Sequence, residues 1–344
     1  MPWTETVDPQ DDKFHRRTDD PYWNESSFVS FYVPERRISG VIYFHFRPNM
    51  KLASWGPMLW DPSGDENYTC LHFAMDEYMP MPEDAGMFDF TLLNGLSVST
   101  IDLQKSYRHV YDGPGCSFDL TYTASIEPYY MKEKHTATSN MTDWIEILGS
   151  DDLTVGHYEQ FGRMKGTLHV GGEDIDVDSW SLRDHSWGPR PTRSNLKKGR
   201  GSYPTAIASE SSAFNFYAST PEALEDDPLV GTTEEITSGF YIRDGKLADL
   251  EQGVCRTERD EEGLPTRIVV EGTDTLGRDL YAEGTFLNRL KWSGAFGDYL
   301  INWSLTSWNF DGNDGAIGEN WDYMPYRLYR RFHERRTVGA TAAA

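Results

Sequence analysis

From Phe28 onward the chain reads as short alternations of apolar and polar residues broken by turn formers. Phe28–Val33 stops at Pro34, Ile38–Phe46 at Pro48-Asn49, and Leu52–Trp60 at Asp61-Pro62-Ser63-Gly64. Tyr68–Met75, Phe88–Leu93, Ser97–Tyr111 and Cys116–Ile126 repeat the theme. Period-two patterning predicts half-buried strands, and turn signals at spacings of about 8 to 15 residues predict a sandwich or barrel. Hairpins are predicted around Gly171-Gly172-Glu173-Asp174, around Asp244-Gly245 and around Asp274-Thr275-Leu276-Gly277. Helical periodicity is scarce: Pro221–Asp227 offers a turn or two, and Thr142–Gly149 is ambiguous. Neither is long enough for a crossover helix, so a parallel α/β sheet is disfavoured.

The pattern breaks between Gly188 and Tyr203, where Pro189, Pro191, Gly199, Gly201 and several basic residues read as a connector. At 344 residues the chain suits two domains. The expected division is a flexible arm over 1–20, a first domain over 21–190, a second over 191–336 and a disordered tail over 337–344. Aromatics at 14% favour strands over helices, and the supply of Gly and Pro serves many turns.

A net charge of −23 argues against nucleic acid and anionic lipid as partners. Cys70, Cys116 and Cys255 are sparse and unpaired in spacing, which fits a reducing compartment. The polar start is no signal peptide and no apolar run is long enough to span a bilayer. A cytoplasmic location is therefore expected, and the sequons at Asn24, Asn67, Asn140 and Asn302 carry no weight. No P-loop, dinucleotide fingerprint, HExxH or GxSxG motif occurs. No two histidines stand at metal-ligand spacing, so neither metal nor cofactor is expected, although β folds assemble sites from distant residues.

The densest chemical cluster is Trp180-Ser181-Leu182-Arg183-Asp184-His185-Ser186-Trp187-Gly188-Pro189-Arg190. Strand parity puts Asp184 and Ser186 on one face and Arg183, His185 and Trp187 on the other, unless a bulge before Gly188-Pro189 brings Asp184 and His185 together. A buried Asp needs a partner, and His suits proton transfer near neutral pH. The alternative is a structural ion pair. Extending the Gly171-Gly172 hairpin lays the segment Gly156-His157-Tyr158-Glu159-Gln160 against this cluster, so that Glu159 or Gln160 nears Asp184 and His185. The alternative there is a cross-strand Glu–Arg pair. Two weaker elements are Tyr22-Trp23-Asn24-Glu25-Ser26, which turn chemistry also explains, and Gly315–Trp321, which could line a mouth in the second half or form a final strand edge.

Trp23-Asn24-Glu25-Ser26, His157-Tyr158-Glu159-Gln160 and Arg183-Asp184-His185-Ser186-Trp187-Gly188 together resemble the AttH/carotenoid 1,2-hydratase-like family, in its uncharacterised bacterial branch. The resemblance implies a mainly β fold of two tandem lipocalin-like (calycin-like) antiparallel barrels or half-barrels, packed side by side. It also implies a cofactor-independent hydratase, dehydratase or isomerase acting on a hydrophobic small molecule such as a terpenoid, steroid or aromatic. Asp184, His185 and Glu159 would be catalytic. Trp187, Arg183, Arg190, Tyr158, Gln160, Trp23 and Glu25 would bind substrate. A non-catalytic carrier of a hydrophobic ligand and a pocketless scaffold stand as rivals, and homodimerisation is left open.

Overall fold

The computed structural model describes residues 8–131, 156–190, 200–220, 233–293 and 299–342, with side chains to residue 334. The segments Thr142–Gly149 and Pro221–Asp227 lie outside them. The described residues fall into two compact units, one built from 8–131 and 156–190 and the other from residues 200 onward.

Alternation in the sequence becomes antiparallel sheet throughout. The first unit carries a 13-stranded sheet. At its centre Ile38–Arg47 pairs with Trp23–Val33, which pairs with Glu173–Pro189, then Gly156–Val170, then Cys116–Ala124. Gly156–Val170 and Glu173–Pro189 form one long hairpin closed by Gly171 and Gly172, at φ 63° and 81°. Both residues need the left-handed region, which glycine enters without a Cβ clash. The turn is therefore tighter than expected, and Glu173 and Asp174 belong to the strand. Other expected strands resolve into smaller pieces. Ser97–Tyr111 is a hairpin of Leu96–Asp102 and Ser106–Gly113, and of Tyr68–Met75 only His72–Phe73 is strand. One face packs an aromatic-rich core that includes Val29, Phe31, Phe44, Phe46, Phe90, Tyr107, Phe118 and Tyr122.

The second unit closes. Its strands run in register from Asp279–Phe286 through Tyr299–Phe310, and Asp279–Phe286 pairs with both Pro265–Asp274 and Tyr299–Phe310. The result is a closed antiparallel barrel of eight strands. Its Asp244-Gly245 hairpin forms as predicted, with φ of 54° and 71°. Asn313–Pro325, whose Gly315–Trp321 segment could have been a strand edge, is paired on both sides instead.

Two terminal segments carry regular structure. Within residues 8–20 the Pro9–Asp12 turn plants Asp12 in the first unit at 2% exposure. A helix, Tyr326–Ala342, runs through the start of the expected tail, and Leu328 packs on Met324 with Tyr329 and Phe332 beside them. No helix among the described residues is long and apolar enough to cross a membrane.

Candidate functional site

The long hairpin and the strand beside it bring the sequence-predicted residues together, but on two faces. The ladder is unbroken from Gly156↔Trp187 to Val170↔Glu173, so no bulge re-aims the motif. Asp184 and His185 therefore point to opposite sides, as simple alternation dictates. Their expected joint action is corrected on that ground. Register places Tyr158 beside His185, Glu159 beside Asp184 and Gln160 beside Arg183. It also places Glu25 beside Trp187 and Val29 beside Arg183.

The inner face continues from the apolar core. Arg183 is 1% exposed and its guanidinium sits over the rings of Phe88, Tyr107, Tyr122 and Tyr158 at 4.7–5.9 Å. A buried guanidinium is tolerable only with a counter-charge. Asp12 supplies it, with Nη1 to Oδ2 at 3.2 Å, and the hydroxyls of Tyr107 and Tyr158 donate to the same carboxylate. Gln160 completes the set, accepting from Arg183 Nη2 at 2.7 Å and donating to the carbonyls of Gln104 and Ile126. Burial works against the charge of Asp12, but Arg183 and the two tyrosine hydroxyls hold its carboxyl below the usual range.

Next along the same face, Glu25 is fully buried. Its Oε1 accepts from Trp23 Nε1 at 3.2 Å and from the His15 backbone N–H at 2.9 Å. Its Oε2 lies 3.1 Å from His15 Nδ1 and 3.6 Å from His185 Nε2. The His15 ring stacks on Trp187, with centroids 3.9 Å apart and planes 9° from parallel. Gly156 makes room for Trp187, since a Cβ there would strike the indole. Burial lowers His185 to about 4, against the pull of Glu25. Burial also disfavours charge on His15, but hydrogen bonds to Asp11 and Glu25 outweigh it and raise it to about 9.

The opposite face carries a different chemistry. His157 is held at both ring nitrogens, with Nδ1 2.6 Å from Ser186 Oγ and Nε2 2.6 Å from Glu159 Oε1. Asp184 Oδ1 accepts the Phe28 backbone N–H at 2.6 Å, and its Oδ2 lies 3.9 Å from His157 Nδ1. Burial, then the neighbouring Glu159, raises Asp184 to about 7. Phe28, Tyr43 and Trp55 supply ring walls, with centroids 5.6 Å and 4.7 Å apart along that series. Arg190 reaches the Tyr43 hydroxyl, while its backbone N–H donates to the Tyr22 carbonyl. All four members of the cluster, His157, Glu159, Asp184 and Ser186, are buried.

Four contributors were missed in the sequence. Asp12 and His15 sat in what reads as a polar arm, with no local signal that an ion pair awaited them. His157 and Ser186 were visible only as neighbours of the motif. The parity rule applied to the extended hairpin was the signal that could have joined them to Glu159 and Asp184.

A model of the family described as "Domain of unknown function (DUF7064)" matches residues 8–322. No curated protein matches the chain. Among solved structures, a putative AttH from Nitrosomonas europaea is 14% identical over 95% of this chain and 98% of its own, with a TM-score of 0.53. That likeness shows a shared fold, the lipocalin-like one that the sequence resemblance implied. Kievitone hydratase from Nectria haematococca matches at 14% identity, over 90% of this chain and 89% of its own, with a TM-score of 0.44. CghA with Sch210972 matches at 10% identity, over 88% of each chain, with a TM-score of 0.48. At those scores neither bears on what this chain does.

Proposed function

We propose, from the premise that this chain belongs to the DUF7064 family, that it is an acid–base enzyme, a hydro-lyase or isomerase, acting on a hydrophobic small molecule at the face that carries Asp184, His157, Glu159 and Ser186. One observation carries the reading: a buried histidine bound at both nitrogens by a hydroxyl and a carboxylate, with a second carboxyl 3.9 Å away. Such a cluster can give a proton from one group and receive one at another without bulk water.

In the hydration direction the Asp184 O–H breaks as a C–H bond forms on an alkene carbon. Positive charge grows on the neighbouring carbon, where the faces of Phe28 and Tyr43 offer π-density. Water adds to that carbon and its proton passes to His157, which Glu159 orients and Ser186 steadies. A proton returning from His157 to Asp184 resets the pair. Run backwards the cycle expels water, and loss of a different carbon-bound proton to His157 shifts the double bond. Arg190, beside Tyr43, stands where an oxygen function on the substrate could be held.

The test is turnover of prenylated aromatics, terpenoids and steroids in ¹⁸O-water and in D₂O, scored for oxygen uptake or carbon-bound deuterium. Asp184→Asn and His157→Gln are expected to slow the step by about 10²–10⁴-fold. Both variants reacting at the wild-type rate would sink the assignment. A fluorescent apolar probe bound equally by all three proteins, none of which shows turnover, would instead mark a carrier.

A further inference from the structure

Across the sheet from that cluster lies a second constellation that the proposed chemistry does not use. We infer that His15, Glu25 and His185 form a binding site for one divalent transition-metal ion, with His15 Nδ1, Glu25 Oε2 and His185 Nε2 as its ligand atoms. Ligand atoms of these three residues lie within 4.8 Å of one another. The separations from Glu25 Oε2, 3.1 Å to His15 and 3.6 Å to His185, bracket the ~3.4 Å edge of a tetrahedron with metal–ligand bonds of about 2.0–2.1 Å. Two imidazoles and one carboxylate suit zinc or ferrous iron better than calcium or magnesium.

The state of His185 is that of a cation ligand. Its Nδ1 lies 3.0 Å from the Ser26 carbonyl, which can only accept, so Nδ1 carries the proton. Nε2 then presents a lone pair, has no hydrogen-bond partner, and faces the carboxylate oxygen of Glu25 at 3.6 Å in a fully buried setting. Two acceptors facing each other away from water repel unless something positive lies between them. An imidazolium at His15 would explain the contact between His15 and Glu25, but it donates nothing to His185.

The surroundings are those of a metal ligand shell. A metal-bound imidazole ordinarily donates its other N–H to a carbonyl or carboxylate. His185 has the Ser26 carbonyl for this, and His15 has Asp11 Oδ1 at 3.4 Å from Nε2. The other oxygen of Glu25 is pinned by Trp23 and by the His15 backbone. Phe88, Tyr158 and Trp187 wall the His185 ring at centroid distances of 5.2–5.6 Å. The companion triad, His157, Glu159 and Asp184, is equally compact, but its histidine is held at 2.6 Å through both nitrogens and offers no unpartnered buried nitrogen like His185 Nε2. The sequence expectation of no metal rested on local spacing, and these ligands are far apart in the chain.

His15 rides on the 8–20 segment, so a metal ion would tie that segment down. The experiment strips the wild-type chain with chelator and adds Co²⁺ alone. Uptake of one ion per chain, with visible ligand-field bands, is expected, together with severalfold slower trypsin cleavage at the exposed Lys13, Arg16 and Arg17. His185→Ala and Glu25→Gln should lose uptake, Asp11→Asn should weaken it about 10–100-fold, and His157→Gln should keep it. Uptake that survives His185→Ala, or that fails only in His157→Gln, overturns the site. If the buried variants do not fold, the wild-type chain decides: no bands and an unchanged trypsin half-life with Co²⁺ overturn it equally.

Discussion

The two faces of the Gly156–Pro189 hairpin are built from adjacent residues and behave as opposites. On the inner face, Arg183 is neutralised by Asp12 and bound by Gln160 beneath four aromatic rings. On the outer face, Asp184 shares its register position with Glu159, a second acid. One face spends its charges on holding the structure, and the other keeps a carboxyl whose charge is disfavoured. A contiguous motif is therefore two sites, and its residues should fail in different ways.

The largest contrast is expected from Asp12→Ala. It strands a buried guanidinium and should cost about 3–5 kcal/mol, read as a lower denaturant midpoint. The double variant Asp12→Leu with Arg183→Met removes both charges and should recover much of that loss, because the pair's desolvation cost disappears with its attraction. Equal losses in the single and double variants would show that Asp12 acts through packing rather than charge.

A smaller effect is shared by both faces. His109, inside, and His45, outside, are each pushed down to about 3, by burial first and then by Arg183 for His109 and by Arg47 and Arg190 for His45. Their folded values lie below the unfolded value of 6.5, so the unfolded chain binds protons that the fold refuses. The contribution of these two histidines should be undiminished above pH 6.5 and fall as pH drops from there towards 3, by about 1 kcal/mol per pH unit for each, against opposite trends from His15 and Asp184, whose folded values are raised. The difference between wild type and His109→Gln in urea titrations at pH 7, 6 and 5 isolates it: the variant should lose less, or gain more, stability on acidification.

The smallest effect sharpens the contrast most. Asp184→Asn keeps the acceptor for the Phe28 N–H and removes a disfavoured charge. Its stability at pH 7 should change by less than about 1 kcal/mol, against several for Asp12. A loss as large as that of Asp12→Ala would erase the distinction between the faces.

The strands and hairpins were legible because alternation and Gly-rich turns are local signals, and the Asp244-Gly245 and Gly171-Gly172 hairpins formed where those signals stood. Register followed from the second of these, and it carried Glu159 to Asp184 and Gln160 to Arg183. The pairing of Asp184 with His185 failed because it asked for a bulge that the unbroken ladder does not contain. Asp12 and His15 were illegible for a different reason. A charged residue in a polar stretch looks solvated until its partner, far along the chain, is known. Closure of the second sheet was likewise hidden, since Asp279–Phe286 meets Tyr299–Phe310 by geometry and not by any turn between them.

The bond between Asp12 and Arg183 spans 171 residues. At about 5–20 residues per second, a ribosome would release the aspartate roughly ten to thirty seconds before the arginine exists. Until then the nascent amino-terminal stretch lacks its counter-charge, and the tyrosines that will share its carboxylate wait in an unfinished sheet. This clasp can close only after the last strand of the first unit has emerged. A message cut short before that point would yield a polypeptide unable to seal its own interior.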